Sequence, residues 1–219
     1  MNILIFGATG MVGQGVLRQC LLDPEVRQVV TIGRTATGQR DPKLREIVHR
    51  DLFDYTSIES ELTGFDACFF CLGVSSFRMS EADYAHVTYD LTLAAARTLA
   101  RLNPQMVFEY VSGAHTDSTG KGSSMWARVK GRTENALLNL PFKGAYMFRP
   151  GAIQPMDGIR SKTALYQTIY SLSQPLWPLL RRAFPNAVTS TTQLSLAMLD
   201  VAKQGAPTRI LEMRDIVRY

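Results

Sequence analysis

Three glycines spaced three residues apart, Gly7, Gly10 and Gly13, stand directly after the apolar run Met1-Asn2-Ile3-Leu4-Ile5-Phe6 and directly before a helical pattern. That order confines the chain to a strand, a tight turn and a helix laid back on the strand. Gly7 permits the turn, Gly10 lets a pyrophosphate approach the backbone, and Gly13 lets the helix lie close to the sheet. The helix N-terminus then faces the anion. Glycine-rich turns are common in purely structural roles. Here the flanking strand and helix favour a dinucleotide site, with Thr9, Met11 and Val12 in the same turn.

The rest of the chain repeats the alternation. Helical spacing over Val12 to Leu22 stops at Asp23-Pro24, and strands are predicted at Gln28 to Gly33, Glu46 to Arg50, Ala67 to Leu72, Met106 to Val111 and Ala145 to Arg149. A long helix is predicted from Glu81 to Leu102, ending before Asn103-Pro104, and another from Met125 to Asn139. A last helix, Gln193 to Lys203, and a short strand, Arg209 to Met213, close the series. Alternating strands and helices imply an α/β fold: a single Rossmann-type, doubly wound, mainly parallel sheet spanning 1–219, with helices on both faces. Ligands of such sheets bind at the carboxyl ends of the strands. That rule gathers Gly7 to Gly13, Arg34, Asp51, Leu72-Gly73, Ser112 and Pro150-Gly151 around one crevice.

After Pro150 the alternation fades into a stretch with Pro155, Pro175, Pro178 and Pro185 among aromatic residues. This predicts a small C-terminal lid over about 153–190. Its segment 165–184, with Tyr166, Tyr170, Trp177 and Arg181-Arg182, also suits a partner surface or an amphipathic membrane-surface contact. A hydrophobic content of 46% supports a sizeable core without a membrane span, and 24 basic against 19 acidic residues is a mild excess that points to solubility rather than to nucleic acid. The first residues already form a strand and carry no charged leader, so the expected location is cytoplasmic. Cys20, Cys68 and Cys71 are an odd number within apolar segments, which argues against disulfides. Cys68 and Cys71 read as CxxC, but strand alternation sends them to opposite faces, as buried small hydrophobes. No His/Cys cluster has metal-ligand spacing, and no metal is expected.

The end of the second strand selects the cofactor. An acidic residue there holds the ribose 2′-hydroxyl of NAD(H), whereas a cation accepts the 2′-phosphate of NADP(H). The segment Ile32-Gly33-Arg34-Thr35-Ala36 has no carboxylate. Arg34 can pair bidentately with phosphate and Thr35 adds a hydroxyl, so NADP(H) is expected in preference to NAD(H).

These residues resemble the short-chain dehydrogenase/reductase superfamily, and within it the atypical members with Gly-Ala-Thr-Gly-x-x-Gly, such as Tat-interactive-protein-like oxidoreductases and NAD(P)-binding epimerase-like proteins. The likeness continues in Gly33-Arg34-Thr35, Asp51-Leu52, Tyr110-Val111-Ser112, Val129-Lys130-Gly131 with Glu134, and Arg149-Pro150-Gly151. It implies that Asp51 and Leu52 border the adenine, that Leu72-Gly73 passes the ribose, and that Pro150 to Ile153 lies beside the nicotinamide. It also implies a catalytic Tyr-x-x-x-Lys pair acting with a preceding serine. The lysine falls on Lys130 and the serine on Ser112, but the tyrosine position holds Trp126. An indole N–H donates a hydrogen bond and does not transfer a proton at ordinary pH. Reduction then needs a proton from elsewhere: His115, Tyr84, Tyr89 or water. Two functions stay open. One is an NADP(H)-dependent oxidoreductase or epimerase-like enzyme acting on a small carbonyl substrate, monomeric or homodimeric. The other is a catalytically lapsed cofactor sensor or partner-binding regulator, as the NmrA-like members of the superfamily are.

Overall fold

The computed structural model describes residues 1–159, Trp177 and 187–219. Seven strands form one sheet: β1 (Asn2–Phe6), β2 (Gln28–Gly33), β3 (Leu44–Val48), β4 (Ala67–Phe70), β5 (Val107–Val111), β6 (Gly144–Arg149) and β9 (Ile210–Glu212), in the order β3-β2-β1-β4-β5-β6-β9. Every neighbouring pair in it is parallel. The central strands are apolar runs without alternation, as a sheet covered on both faces requires: Ile3 to Phe6 and Ala67 to Phe70 are fully buried.

One face packs under α1 (Met11–Leu22) and α5 (Thr191–Gln204), through Val16, Leu17 and Cys20 of the first and Leu194, Met198 and Val201 of the second. Gly15 lets these helices meet closely, since a Cβ there would lie 3.0 Å from Cβ of Thr191. The other face packs under α3 (Leu91–Leu102) and α4 (Met125–Leu138), with Ala95, Ala96, Leu99 and Leu137 against Phe70, Phe108 and Met147. Cys68 belongs to this second core and Cys71 borders the first, so the two cysteines face opposite ways.

The order of strand addition reverses between β1 and β4, which lead to opposite halves of the sheet. The loops after these strands therefore sit side by side: Cys71 N–H donates to Phe6 O at 3.0 Å. This is the switch point where α/β sheets bind ligands.

Several boundaries differ from the expectation. The third strand lies two residues earlier than Glu46 to Arg50, because β3 is an edge strand whose register is set by pairing with β2, from Val29 opposite Leu44 to Gly33 opposite Val48. The helix expected over Glu81 to Leu102 is α2 (Glu81–Ala85), a π turn at His86–Asp90, and then α3. Ser80 caps α2, its Oγ accepting from Asp83 N–H at 3.1 Å. A 3₁₀ turn at Thr56–Glu61, the helix turn α6 (Met213–Ile216), and a second small sheet pairing β7 (Ala152–Gln154) with β8 (Val188–Ser190) have no clear sequence signal. The predicted lid falls mostly on residues 160–186, outside the described residues apart from Trp177. Among the described residues, no helix is long and apolar enough to cross a membrane.

Candidate functional site

The first turn is built by steric necessity. Gly7 has φ +78°, and a Cβ on it would stand 2.7 Å from the carbonyl carbon of Cys71; a Cβ on Gly13 would stand 2.1 Å from Gly7 O. Gly10 is different. Its Cβ would meet only Gly7 O, at 3.3 Å, so the space above it is open to a ligand rather than filled by protein. Gly10 is also the N-cap of α1 and supplies no side-chain cap, which leaves first-turn N–H donors of Met11, Val12 and Gly13 facing outward. Gln14 ties the turn down, its Nε2 donating to Thr9 O at 3.1 Å. Above this turn opens a cavity of about 810 Å³, lined by Gly7, Thr9, Gly10 and Met11 at its floor.

Toward the second strand, a cavity of about 450 Å³ shares Gly7, Thr9, Arg34, Leu52 and Leu72 with the first and adds Thr35. Asp51 Oδ1 accepts from Phe53 N–H at 2.9 Å, a local turn that sets buried Leu52 as the wall between the two cavities. Gly73 lines the larger one. The exposed guanidinium of Arg34 has no ion-pair partner among the described residues. Arg50, at the carboxyl end of β3, likewise lines the larger cavity. Sequence reasoning passed over Arg50, although the strand-end rule that selected Asp51 applies equally to its neighbour. The nearby Glu46 is occupied: it accepts from Thr37 N–H at 2.6 Å and Thr31 Oγ at 3.3 Å.

Lys130 lines the opposite end of the larger cavity. Its Nζ donates to Ser112 O at 2.5 Å and Val111 O at 3.4 Å, and lies 5.7 Å from the centre of the Tyr110 ring. Burial pushes its pKa down to about 8, against the opposing pull of the Glu134 carboxylate. Val87 and Leu91, brought to the cavity by the π turn, and Phe53, stacked on His86 at 4.5 Å, complete an apolar wall. None of these three was foreseen: Val87 and Leu91 sit at the π turn and Phe53 in the loop after β3, where hydrophobic periodicity gives no signal.

Other expected site residues lie elsewhere. Ser112 is buried and lines none of the three largest described cavities; its Oγ–H lies 2.5 Å from Glu134 Oε1 and 3.1 Å from Phe148 O. Its single proton is therefore directed inward. Glu134 demands this, being fully buried and paired with Arg149, whose Nε donates to it at 3.0 Å and Nη2 at 2.5 Å. Trp126 is half-buried, one turn before Lys130, and lines none of these cavities. Val12 and Ile153 turn their side chains to the α1/α5 core. Tyr84 is buried and the ring of Tyr89 is covered by Arg132 at 3.8 Å, so neither phenol lines the cleft. His115, Pro150 and Gly151 line a third cavity of about 860 Å³. His115 is held there in the left-handed region, at φ +66°. Among the described residues, no group of three or more His, Cys, Asp or Glu is placed to hold a metal ion.

A parallel sheet, a ligand-open glycine turn at its switch point and a lysine across the cleft define a Rossmann protein of the short-chain dehydrogenase/reductase type. More particularly, residues 3–124, over half of the chain, match the NAD dependent epimerase/dehydratase family, and the chain belongs to it. It is similar to protein fmp52, mitochondrial, of Emericella nidulans, at 29% identity over 69% of this chain and 66% of that protein. The rat protein HTATIP2 is 25% identical over 69% of this chain and 62% of its own. The match thus spans slightly under two thirds of each relative. Among solved structures, the Bordetella bronchiseptica enzyme WbmF in complex with NAD+ and UDP superposes with a TM-score of 0.68 over 97% of this chain and 72% of that one, at 13% identity. The expectation of a cytoplasmic location is corrected by the relatives: fmp52 proteins of several fungi are named mitochondrial, which points away from the cytoplasm.

Proposed function

We propose that the chain binds NADP(H) across the switch-point cleft and interconverts a small carbonyl compound and its alcohol there. The observation that carries this reading is the layout of the two adjoining cavities: uncapped helix N–H donors in the middle, a guanidinium without an ion-pair partner among the described residues at one end and a half-buried ammonium at the other. The α1 N-terminus receives a diphosphate. Arg34 and Thr35, with Arg50 close by, receive the ribose 2′-phosphate, and Leu52 and Leu72 flank the adenine. Lys130 hydrogen-bonds the second ribose. When bound, the nicotinamide supplies or accepts a hydride.

The proton is the chain's own task. Trp126 holds no transferable proton, and Ser112 directs its own to Glu134. Burial holds the Cys71 thiol neutral, leaving Lys130, at about 8, as the group lining this cavity best matched to acid chemistry near neutral pH. His115 faces the neighbouring cavity.

A second reading has its own support. With Trp126 in the tyrosine position and Ser112 turned inward, the cleft suits a regulator that holds the cofactor without turning it over. Calorimetric titration with NADPH and NADH, followed by single-turnover mixing of the loaded protein with aldehydes, ketones and quinones, separates the possibilities. Expected results are tighter NADPH binding, reversal of that preference in Arg34→Glu, and nicotinamide absorbance loss that disappears in Lys130→Ala. Binding with no turnover on any carbonyl selects the regulator, and no binding of either nucleotide defeats both.

A further inference from the structure

We propose that the cavity of about 860 Å³ beside the cofactor cleft is an oxyanion subsite, in which Arg214 recognises the carboxylate or phosphate of the substrate. This deepens the reading above and rests on it for the role of the ligand as substrate. The wall is small and unreactive: Gly113, Ala114, Gly151, Ala152 and Ala187 leave room for a ligand. Gly151 is required to be small, since a Cβ there would come within 2.5 Å of Ala187 O.

Three polar side chains, Glu212, Arg214 and His115, break that wall. Glu212 is held away from Arg214: Arg149, which it shares with Glu134, donates to it from Nη1 at 2.8 Å, and its side chain caps α6, whose Asp215 reciprocates by accepting from Glu212 N–H at 3.1 Å. Arg214 is exposed and has no ion-pair partner among the described residues. Residues 160–186 cannot provide one, because they contain Arg160, Lys162, Arg181 and Arg182 and no Asp or Glu. The guanidinium thus lines the cavity with no carboxylate in ion-pair contact among the described residues. Its backbone is fixed by the capping box and by burial of Met213 and Ile216 on either side. His115 lines the same cavity. Its loop is pinned to the site by Ala114 N–H, which donates to Pro150 O at 2.8 Å.

A planar fork of N–H donors matches a carboxylate or phosphate bidentately and gains little from a neutral ketone. The substrate class is therefore a carbonyl compound carrying an oxyanion, such as a short oxo acid.

The test uses 2-oxobutanoate, its methyl ester and inorganic phosphate, each titrated by calorimetry into the protein with and without NADPH. The acid is expected to bind about tenfold more tightly than the ester, with the preference lost in Arg214→Gln and partly kept in Arg214→Lys, at unchanged NADPH affinity. Phosphate competition with the acid assigns the subsite to oxyanions generally, and its absence restricts it to carboxylates. Equal binding of acid and ester, no binding of either, or a preference that survives in Arg214→Gln overturns the subsite. Failure of NADPH to bind overturns the cofactor reading and leaves the acid-to-ester comparison on the protein alone intact.

Discussion

At the scale of single residues, a buried glutamate and a half-buried lysine set opposite pH responses. Glu109, on β5, is fully buried with neither carboxyl oxygen hydrogen-bonded, and burial pushes its pKa well above the carboxylate range. An unsatisfied buried polar group costs about 1–3 kcal/mol, so Glu109→Met is expected to raise the melting temperature at pH 7 by several degrees. The folded state retains a proton that the unfolded chain releases near its ordinary value of about 4.3. Wild-type stability relative to the variant is thus complete below that pH and lost as pH rises above it. Melting scans should show the gap shrinking toward pH 4. Lys130 runs the other way. Its folded value of about 8 lies below the lysine norm, so the unfolded chain holds more protons between them and burial of the ammonium is relieved as pH rises. Denaturant titrations should therefore show wild type gaining on Lys130→Met from about pH 8 to about 10.4. A flat difference across that range would mean the ammonium is well solvated.

At the scale of elements, the first turn depends on contact distances that no side chain tolerates. Gly13→Ala would drive a methyl to 2.1 Å from Gly7 O, in backbone that cannot move aside cheaply. The helix must lift from β1, and loss of about 1–3 kcal/mol is expected by thermal melting, together with loss of nucleotide binding. The same logic governs α4, where a Cβ on Gly131 would fall 1.8 Å from Asp117 O. Asp117 knits the loop between β5 and α4, accepting from Thr119 N–H at 2.9 Å and Gly122 N–H at 2.7 Å. Gly131 therefore seats the loop that carries Ser112 and His115. A Gly131→Ala variant that kept full NADPH affinity and stability would break this assignment.

At the scale of the whole molecule, the carboxyl-end rim from β5 to β9 is held by one buried ionic network. Glu134 of α4 joins Ser112 of β5's end to Arg149 of β6, and Arg149 reaches Glu212 of β9 at 2.8 Å and Ser118 of the loop at 2.5 Å. Removing one partner leaves a buried charge unmatched, which costs about 3–5 kcal/mol. Glu134→Ala is accordingly expected to destabilise the fold by that order in chemical denaturation. It should also free the Ser112 hydroxyl, whereas Glu134→Gln should lose less.

Much of this was legible in the chain. Residues Asn2 to Gly13 announce strand, turn and helix because the constraint is local: three residues without side chains at fixed spacing admit few backbones. The apolar runs of β1, β4 and β5 and the strand-end position of Arg34 follow from the same short-range logic, and the apolar runs name the fold. Ser112 and Trp126 show where such logic stops. The direction of the Ser112 hydroxyl was decided by Glu134, 22 residues away in sequence. Glu212, two residues from Arg214, makes its ion pair instead with Arg149, 63 residues away in sequence. Hydrophobic periodicity and glycine placement act between near neighbours and are written in order along the chain. Charge pairing and the orientation of a single proton depend on which distant groups meet, and only packing the sheet brings those groups together.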